Sequence, residues 1–172
     1  NYLFLPIDTK KYECKIKTNN KIRICHSPTN RYYKGSEYII NACKKLDMDN
    51  DNVEFILIEN KSQSETIKIK STCDILIDQV GDKGGWGYGM SSVEAMAMGL
   101  CCATQMNEEY EQFIPNHPFI NVNKNNIYDK LTELINNSEN ISAIKNQSKE
   151  WVEKTHDIQV VGSALYRYYG QI

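Results

Sequence analysis

Between residues 22 and 122 short, continuous apolar runs alternate with segments of helical spacing, and this alternation limits the chain to very few folds. The runs are Ile22 to Cys25, Val53 to Ile58, Ile75 to Ile77, Leu100 to Ala103 and Phe119 to Val122. Each is too short for a helix, and most are too continuously apolar for a sheet with one wet face, so buried parallel strands are expected. Ser36 is placed to cap a helix through Leu46, with Glu37 in its first turn and Tyr38, Ile39, Ala42 and Leu46 at helical spacing. Further helices are expected over Ser62 to Lys70, Met90 to Met98, Glu108 to Phe113 and Ile127 to Ile135, the last after Asn125 or Asn126 as cap. Two more, Glu139 to Lys154 and Ile158 to Tyr169, complete the chain. Parallel strands joined by helices need right-handed crossovers, which predicts an α/β, Rossmann-like parallel sheet with helices on both faces. Ligands of such sheets sit outside the carboxyl ends of the strands, here the loops 26–35, 59–62, 79–89 and 104–108.

A length of 172 residues fits one domain, 1–172, that buries roughly 70% of the surface its unfolded chain would expose. The formal net charge of −2 offers no excess of cations for a nucleic-acid backbone, so no nucleic-acid partner is expected. Lys10, Lys11, Lys15, Lys17 and Lys21 read as a solvated face. The six cysteines form no C-x-x-C pair and have no histidine at zinc-finger spacing, so neither a metal site nor a disulfide framework is signalled. Those within apolar runs suit a reducing, cytoplasmic compartment. No apolar run has the length of a transmembrane segment. Because the first residue is Asn1, the expectation is a piece of a longer protein.

Two loops carry the chemistry. The segment from His26 to Gly35 delivers Arg31 and Lys34 just ahead of a helix N-terminus, where two cations and the helix dipole favour an anion. The segment from Gly81 to Gly99 joins a strand to a helix through a glycine-rich stretch. Its amides from Gly89 through Met90 and Ser91 to Ser92 can cradle phosphate oxygens, and Glu94 in the following turn suits ribose hydroxyls. The plain structural alternatives are a helix-dipole partner for Glu94 and core packing for the side chains of Met90, Met96 and Met98; for the methionines core packing is preferred. The Gly87-x-Gly89 pair lacks the third glycine of a dinucleotide fingerprint, Ser92 standing in its place, and follows the wrong strand, which rejects NAD. His26, ending the first strand, is placed either to meet a ligand or to be satisfied by backbone. His117 and His156 read as loop and surface residues, and Asn107 as the cap of a helix with an acidic first turn.

The run from Tyr88 through Gly89, Met90, Ser91, Ser92, Val93 and Glu94 to Gly99 resembles the signature of glycosyltransferase family 4, in which a glycine and four variable residues precede Glu-Ala-Met-Ala. Lys34-Gly35 resembles the family's Lys-Gly before a helix, and Leu5-Pro6-Ile7-Asp8 is similar to the hinge that opens its C-terminal domain. The resemblance implies the C-terminal half of a GT-B glycosyltransferase, which binds a nucleoside diphosphate sugar without a metal or other cofactor. Residues 1–20 would form an interdomain hinge region, 156–172 a C-terminal helix, and a missing N-terminal domain would hold the acceptor and any peripheral membrane contact. Arg31 and Lys34 would neutralise the departing diphosphate, Glu94 would bind the ribose, and Glu59 or Asn60 would touch the base. The family's usual second acid, eight positions before the glutamate, is replaced here by Trp86, which alters the sugar contact, while Tyr88 keeps the aromatic that often precedes the glycine. The expected activity is retaining transfer of a hexosyl or related sugar to a glycan, lipid or protein acceptor, as in polysaccharide biosynthesis, with the fragment inactive by itself. The alternative is a non-catalytic Rossmann-like binding or scaffolding module with a degenerate sugar site.

Overall fold

The computed structural model describes residues 3–13, 20–81, 83, 87–114 and 116–170. Five parallel strands form one sheet: β1 (Ile22–His26), β2 (Val53–Leu57), β3 (Ile75–Ile77), β4 (Cys101–Thr104) and β5 (Ile120–Asn121), in the order β2-β1-β3-β4-β5. The connection from β1 leaves toward β2 and the next returns past β1 to β3, so the chain reverses direction between β1 and β3. At such a switch point the loops part and leave a crevice.

The central strands are apolar on both sides, as strands covered by helices must be. Side chains alternate between two cores: Ile24, Ile75, Ile77, Cys101 and Ala103 face one, and Cys25, Leu76 and Cys102 face the other. The first core is closed by α2 (Ser36–Asp49), through Ile39, Cys43 and Leu46, and by α6 (Ile127–Ile135), through Leu131 and Leu134. The second is closed by α4 (Met90–Ala97), through Val93 and Met96, and by α7 (Ser138–Thr155), through Trp151 and Val152. Met96 and Met98 are buried as expected, but Met90 is 36% exposed because it opens α4, before the helix reaches the core.

Several connections differ from the sequence expectation in instructive ways. A one-turn helix, α1 (Arg31–Lys34), precedes α2; the side chain of Asn30 caps it by accepting from the amides of Tyr32 and Tyr33. Gly35 follows at φ 60°, and a Cβ there would lie 1.7 Å from the carbonyl oxygen of Val80, so glycine is required. Ser36 is not the cap of α2: it is fully buried and donates its hydroxyl hydrogen to the imidazole of His26. The helix α3 (Gln63–Lys70) starts with a reciprocal capping box between Ser62 and Glu65. Asn107 caps α5 (Glu108–Phe113) through the amide of Tyr110, as expected.

The chain start and chain end meet. Ile7 pairs in parallel with Asp157, with Ile7 N–H donating to His156 and Ile158 N–H donating back to Ile7, both at 2.8 Å. His156 is therefore not a surface residue: it lies 1% exposed at the break between α7 and α8 (Ile158–Tyr169). Its Nδ1–H donates to the Leu5 carbonyl (2.8 Å), and its Nε2 accepts from the hydroxyl of Tyr88 (3.0 Å). Among the described residues no helix is long and apolar enough to cross a membrane.

Candidate functional site

At the carboxyl ends of β1 and β2 lies a cleft of about 870 Å³. The loop after β1 contributes Ser27, the start of α1 Arg31, the loop after β2 Glu59 and Asn60, α3 contributes Gln63, Thr66 and Lys70, and the first turns of α4 contribute Ser91 and Glu94. The fold thus brings together five of the singled-out residues, Arg31, Glu59, Asn60, Ser91 and Glu94, from separate stretches of chain. Asn60 sits at φ 53°, a left-handed conformation that asparagine tolerates, which turns the loop after β2 toward the cleft.

Arg31 pairs with Glu59 at the rim of the cleft. Its Nε donates to Oε1 at 2.6 Å and its terminal nitrogen to Oε2, a bidentate pair that holds the Glu59 carboxyl below the ordinary carboxylate range. Glu94 is held on both oxygens: Lys70 donates to Oε2 and Gln63 to Oε1, each at 3.3 Å.

Lys34 and Gly89 do not line this cleft, although Ser91, in the first turn of α4, does. The ammonium of Lys34 does not point at the N-terminus of the helix that follows it; it reaches across the switch point, 3.6 Å from where a Cβ on Gly89 would stand. Between them sits Asp78, the residue after β3, which is 3% exposed. Its Oδ1 pairs with Lys34, while its Oδ2 accepts from the Gly89 amide (2.8 Å) and the Ser92 hydroxyl (2.9 Å). Gln79 accepts from Lys34 (3.3 Å) and donates to the carbonyl of Gly87 (2.9 Å), tying the glycine-rich loop to the same cluster. Gly87 has φ 117°, and a Cβ there would stand 2.4 Å from the Tyr110 ring.

These contacts revise the expected cradle. Of the four amides from Gly89 to Ser92, the first is taken by Asp78 and the last donates to the Gly89 carbonyl at 3.0 Å. Those of Met90 and Ser91 have no acceptor among the described residues, as the first turn of a helix requires. Ser92 is fully buried and turns inward.

His26 does not reach the cleft. It is completely buried, its Nδ1–H donating to the Ile77 carbonyl (2.8 Å) and its Nε2 accepting from Ser36 (2.7 Å). Burial lowers its pKa to about 4, because the ring has no water to solvate a second proton. Tyr88 turns away from the cleft as well, stacking on Phe119 at 4.6 Å between centroids and meeting Trp151 edge-on. Trp86 lies outside the described residues. Among the described residues no group of three metal-ligating side chains comes together.

Two residues at this site escape the sequence reading. Lys70 shares a polar stripe with Gln63 and Thr66, three and four residues apart on α3, and that spacing was its visible signal. Asp78 is an acid directly after a buried strand at a ligand-bearing edge, a position that is itself a signal.

No protein-family profile and no curated protein sequence matches the chain. Its fold does have solved counterparts. The C-terminal domain of a glycosyl transferase group 1 family protein (LpcC) from Francisella tularensis superposes with a TM-score of 0.63 at 17% identity, over 88% of this chain and 99% of that one. HepE from Anabaena, solved in complex with UDP and glucose, gives 0.70 at 12% identity, over 99% of this chain and 56% of its own. Sucrose-phosphate synthase from Thermosynechococcus elongatus gives 0.68 at 12%, over 97% and 51%. The chain therefore has the fold of the C-terminal domains of group 1, GT-B glycosyltransferases. It spans about half the length of HepE and of sucrose-phosphate synthase.

Proposed function

We propose that the chain is the nucleotide-sugar-binding domain of a glycosyltransferase. The observation that carries this reading is the arrangement around the first turn of α4, where the amides of Met90 and Ser91 have no acceptor among the described residues, Lys34 lies beside Gly89, and Ser91 and Glu94 line the cleft. A nucleoside diphosphate sugar fits that order of groups. Its base lies toward Glu59 and Asn60 and its ribose hydroxyls donate to Glu94. The diphosphate passes along the amides of Met90 and Ser91 to Lys34, with Arg31 at the rim. The sugar extends toward Gly87 of the glycine-rich loop.

In the transfer step negative charge grows on the departing diphosphate as its bond to the anomeric carbon breaks, the acceptor's hydroxyl oxygen bonds to that carbon, and the hydroxyl's proton passes to the departing phosphate oxygen. Lys34 and the helix amides, already fixed in place, stabilise that charge without a metal. The further reading is retaining transfer of a hexosyl or related sugar to a glycan, lipid or protein acceptor in the cytoplasm, with the acceptor held by an N-terminal domain. Without that domain the chain transfers no sugar, and robust turnover by the purified chain would contradict this.

A titration of the isotopically labelled chain with UDP and with GDP, followed by NMR, tests the site directly. Amide shifts concentrated at Met90, Ser91 and Glu94 and in the loops 27–31 and 59–63 are expected. Shifts elsewhere, or none, would sink the assignment. One observation favours the second reading, a non-catalytic binding or scaffolding module: Arg31, Lys34 and Lys70 are each already paired with a carboxylate of the chain. Absence of nucleotide binding would support that module.

A further inference from the structure

Among the described residues Lys70 is the one buried lysine or arginine, at 2% exposure, and it lies on the floor of the cleft. Burying an ammonium is costly unless close partners compensate it. Its partners are both on α4: the hydroxyl of Ser91 at 2.8 Å and the Glu94 carboxylate at 3.3 Å. Gln63, on the same helix as Lys70, takes the other oxygen of Glu94. The carboxylate is thus held in one orientation by α3, with its remaining lone pairs available to a ligand's hydroxyl hydrogens.

Charge gives the pairing a second consequence. A carboxylate without a counterion, beside the helix turn that receives a diphosphate, would repel that diphosphate. We propose that Lys70 is a positioning and charge-compensating residue. It fixes Glu94 for a vicinal diol and cancels the charge of Glu94, so that the cleft prefers a nucleoside diphosphate to the bare nucleoside. This deepens the nucleotide-sugar reading and rests on it.

The test is calorimetry on the full chain with UDP and uridine, and with GDP and guanosine, on wild type, Lys70→Met, Glu94→Gln and the double variant. Loss of the ammonium is expected to weaken the diphosphate about tenfold and the nucleoside no more than about threefold, the difference being the uncancelled charge. The double variant should return the diphosphate-to-nucleoside preference toward the wild-type value. Glu94→Gln alone, which leaves Lys70 without its counter-charge, should raise that preference, and this arm stands even if Lys70→Met fails to fold. Equal weakening of both ligands by Lys70→Met would mark a merely structural role and overturn the inference, as would an unchanged preference in Glu94→Gln. Wild type binding neither nucleotide would overturn the nucleotide-sugar reading itself and the inference with it.

Discussion

Lys34 and Asp78 form an ion pair across the switch point of the sheet, and the same Asp78 carboxylate accepts the Gly89 amide at the start of α4. The chain's own acid therefore occupies ground next to where an external anion would be received. The side chain of Asp78 is 2% exposed and that of Lys34 18%, so the pair lies in a region of weak solvent screening. Asp78→Asn leaves the lysine without a counter-charge and weakens two further hydrogen bonds. A loss of about 3 kcal/mol is expected in urea denaturation, typical for removing one partner of a buried pair. A loss below about 1 kcal/mol would mean that the pair is not held as described.

Glu59 is expected to act in the opposite sense. Its pair with Arg31 lies at the rim of the cleft and is exposed, so it contributes little to folding. Glu59→Gln should leave the melting temperature unchanged while freeing the guanidinium for a phosphate. Nucleotide affinity is then expected to rise about threefold by calorimetry. A fall would contradict the reading that Glu59 competes with a phosphate for Arg31.

The stability of the fold should depend on pH through His26. Its folded pKa of about 4 lies below the ordinary value of 6.5, so between these values the unfolded chain binds more protons than the folded one. Stability is complete above pH 6.5 and declines as the pH falls toward 4, by about 3 kcal/mol for this group. Burial lowers the pKa of His156 too, and its contribution has the same sign. Denaturation curves across this range should show the decline, and His26→Gln should flatten it. A wild-type stability that is constant over the range would contradict the buried, neutral imidazole.

Two glycines should respond oppositely to alanine. Gly35 sits at φ 60° against the Val80 carbonyl, so Gly35→Ala is expected to cost about 3 kcal/mol or more, with the turn between α1 and α2 displaced. Gly162 lies within α8, where an added Cβ would meet nothing within 4 Å, and Gly162→Ala should raise stability by about 0.5–1 kcal/mol. Thermal melts of the two variants check both; a shift of the same sign in each would contradict the local backbone account.

The strands and most helices were legible because their signals are local. The runs at Ile24, Ile75 and Cys101 announce buried strands by composition alone, and their loops mark the ligand edge. The glycine-rich stretch before Glu94 was legible for the same reason. What escaped depends on contacts between distant segments. The roles of Asp78 and Lys70 emerge only when α1 brings Lys34 beside the first and α4 covers the second. His156 looked exposed because nothing in its neighbours shows that Leu5 and Tyr88 will close over it. The helix α1 is a single turn and leaves too little periodicity to detect.

In the proposed function the first turn of α4, with Lys34 beside it, receives a nucleoside diphosphate. Calorimetric titration of UDP and of GDP into the wild-type chain and into Lys34→Ala measures that contact. One of the two nucleotides is expected to bind the wild type, with its affinity reduced at least about tenfold in the variant. Heat from neither nucleotide, or an affinity unchanged by the loss of the lysine, would contradict it.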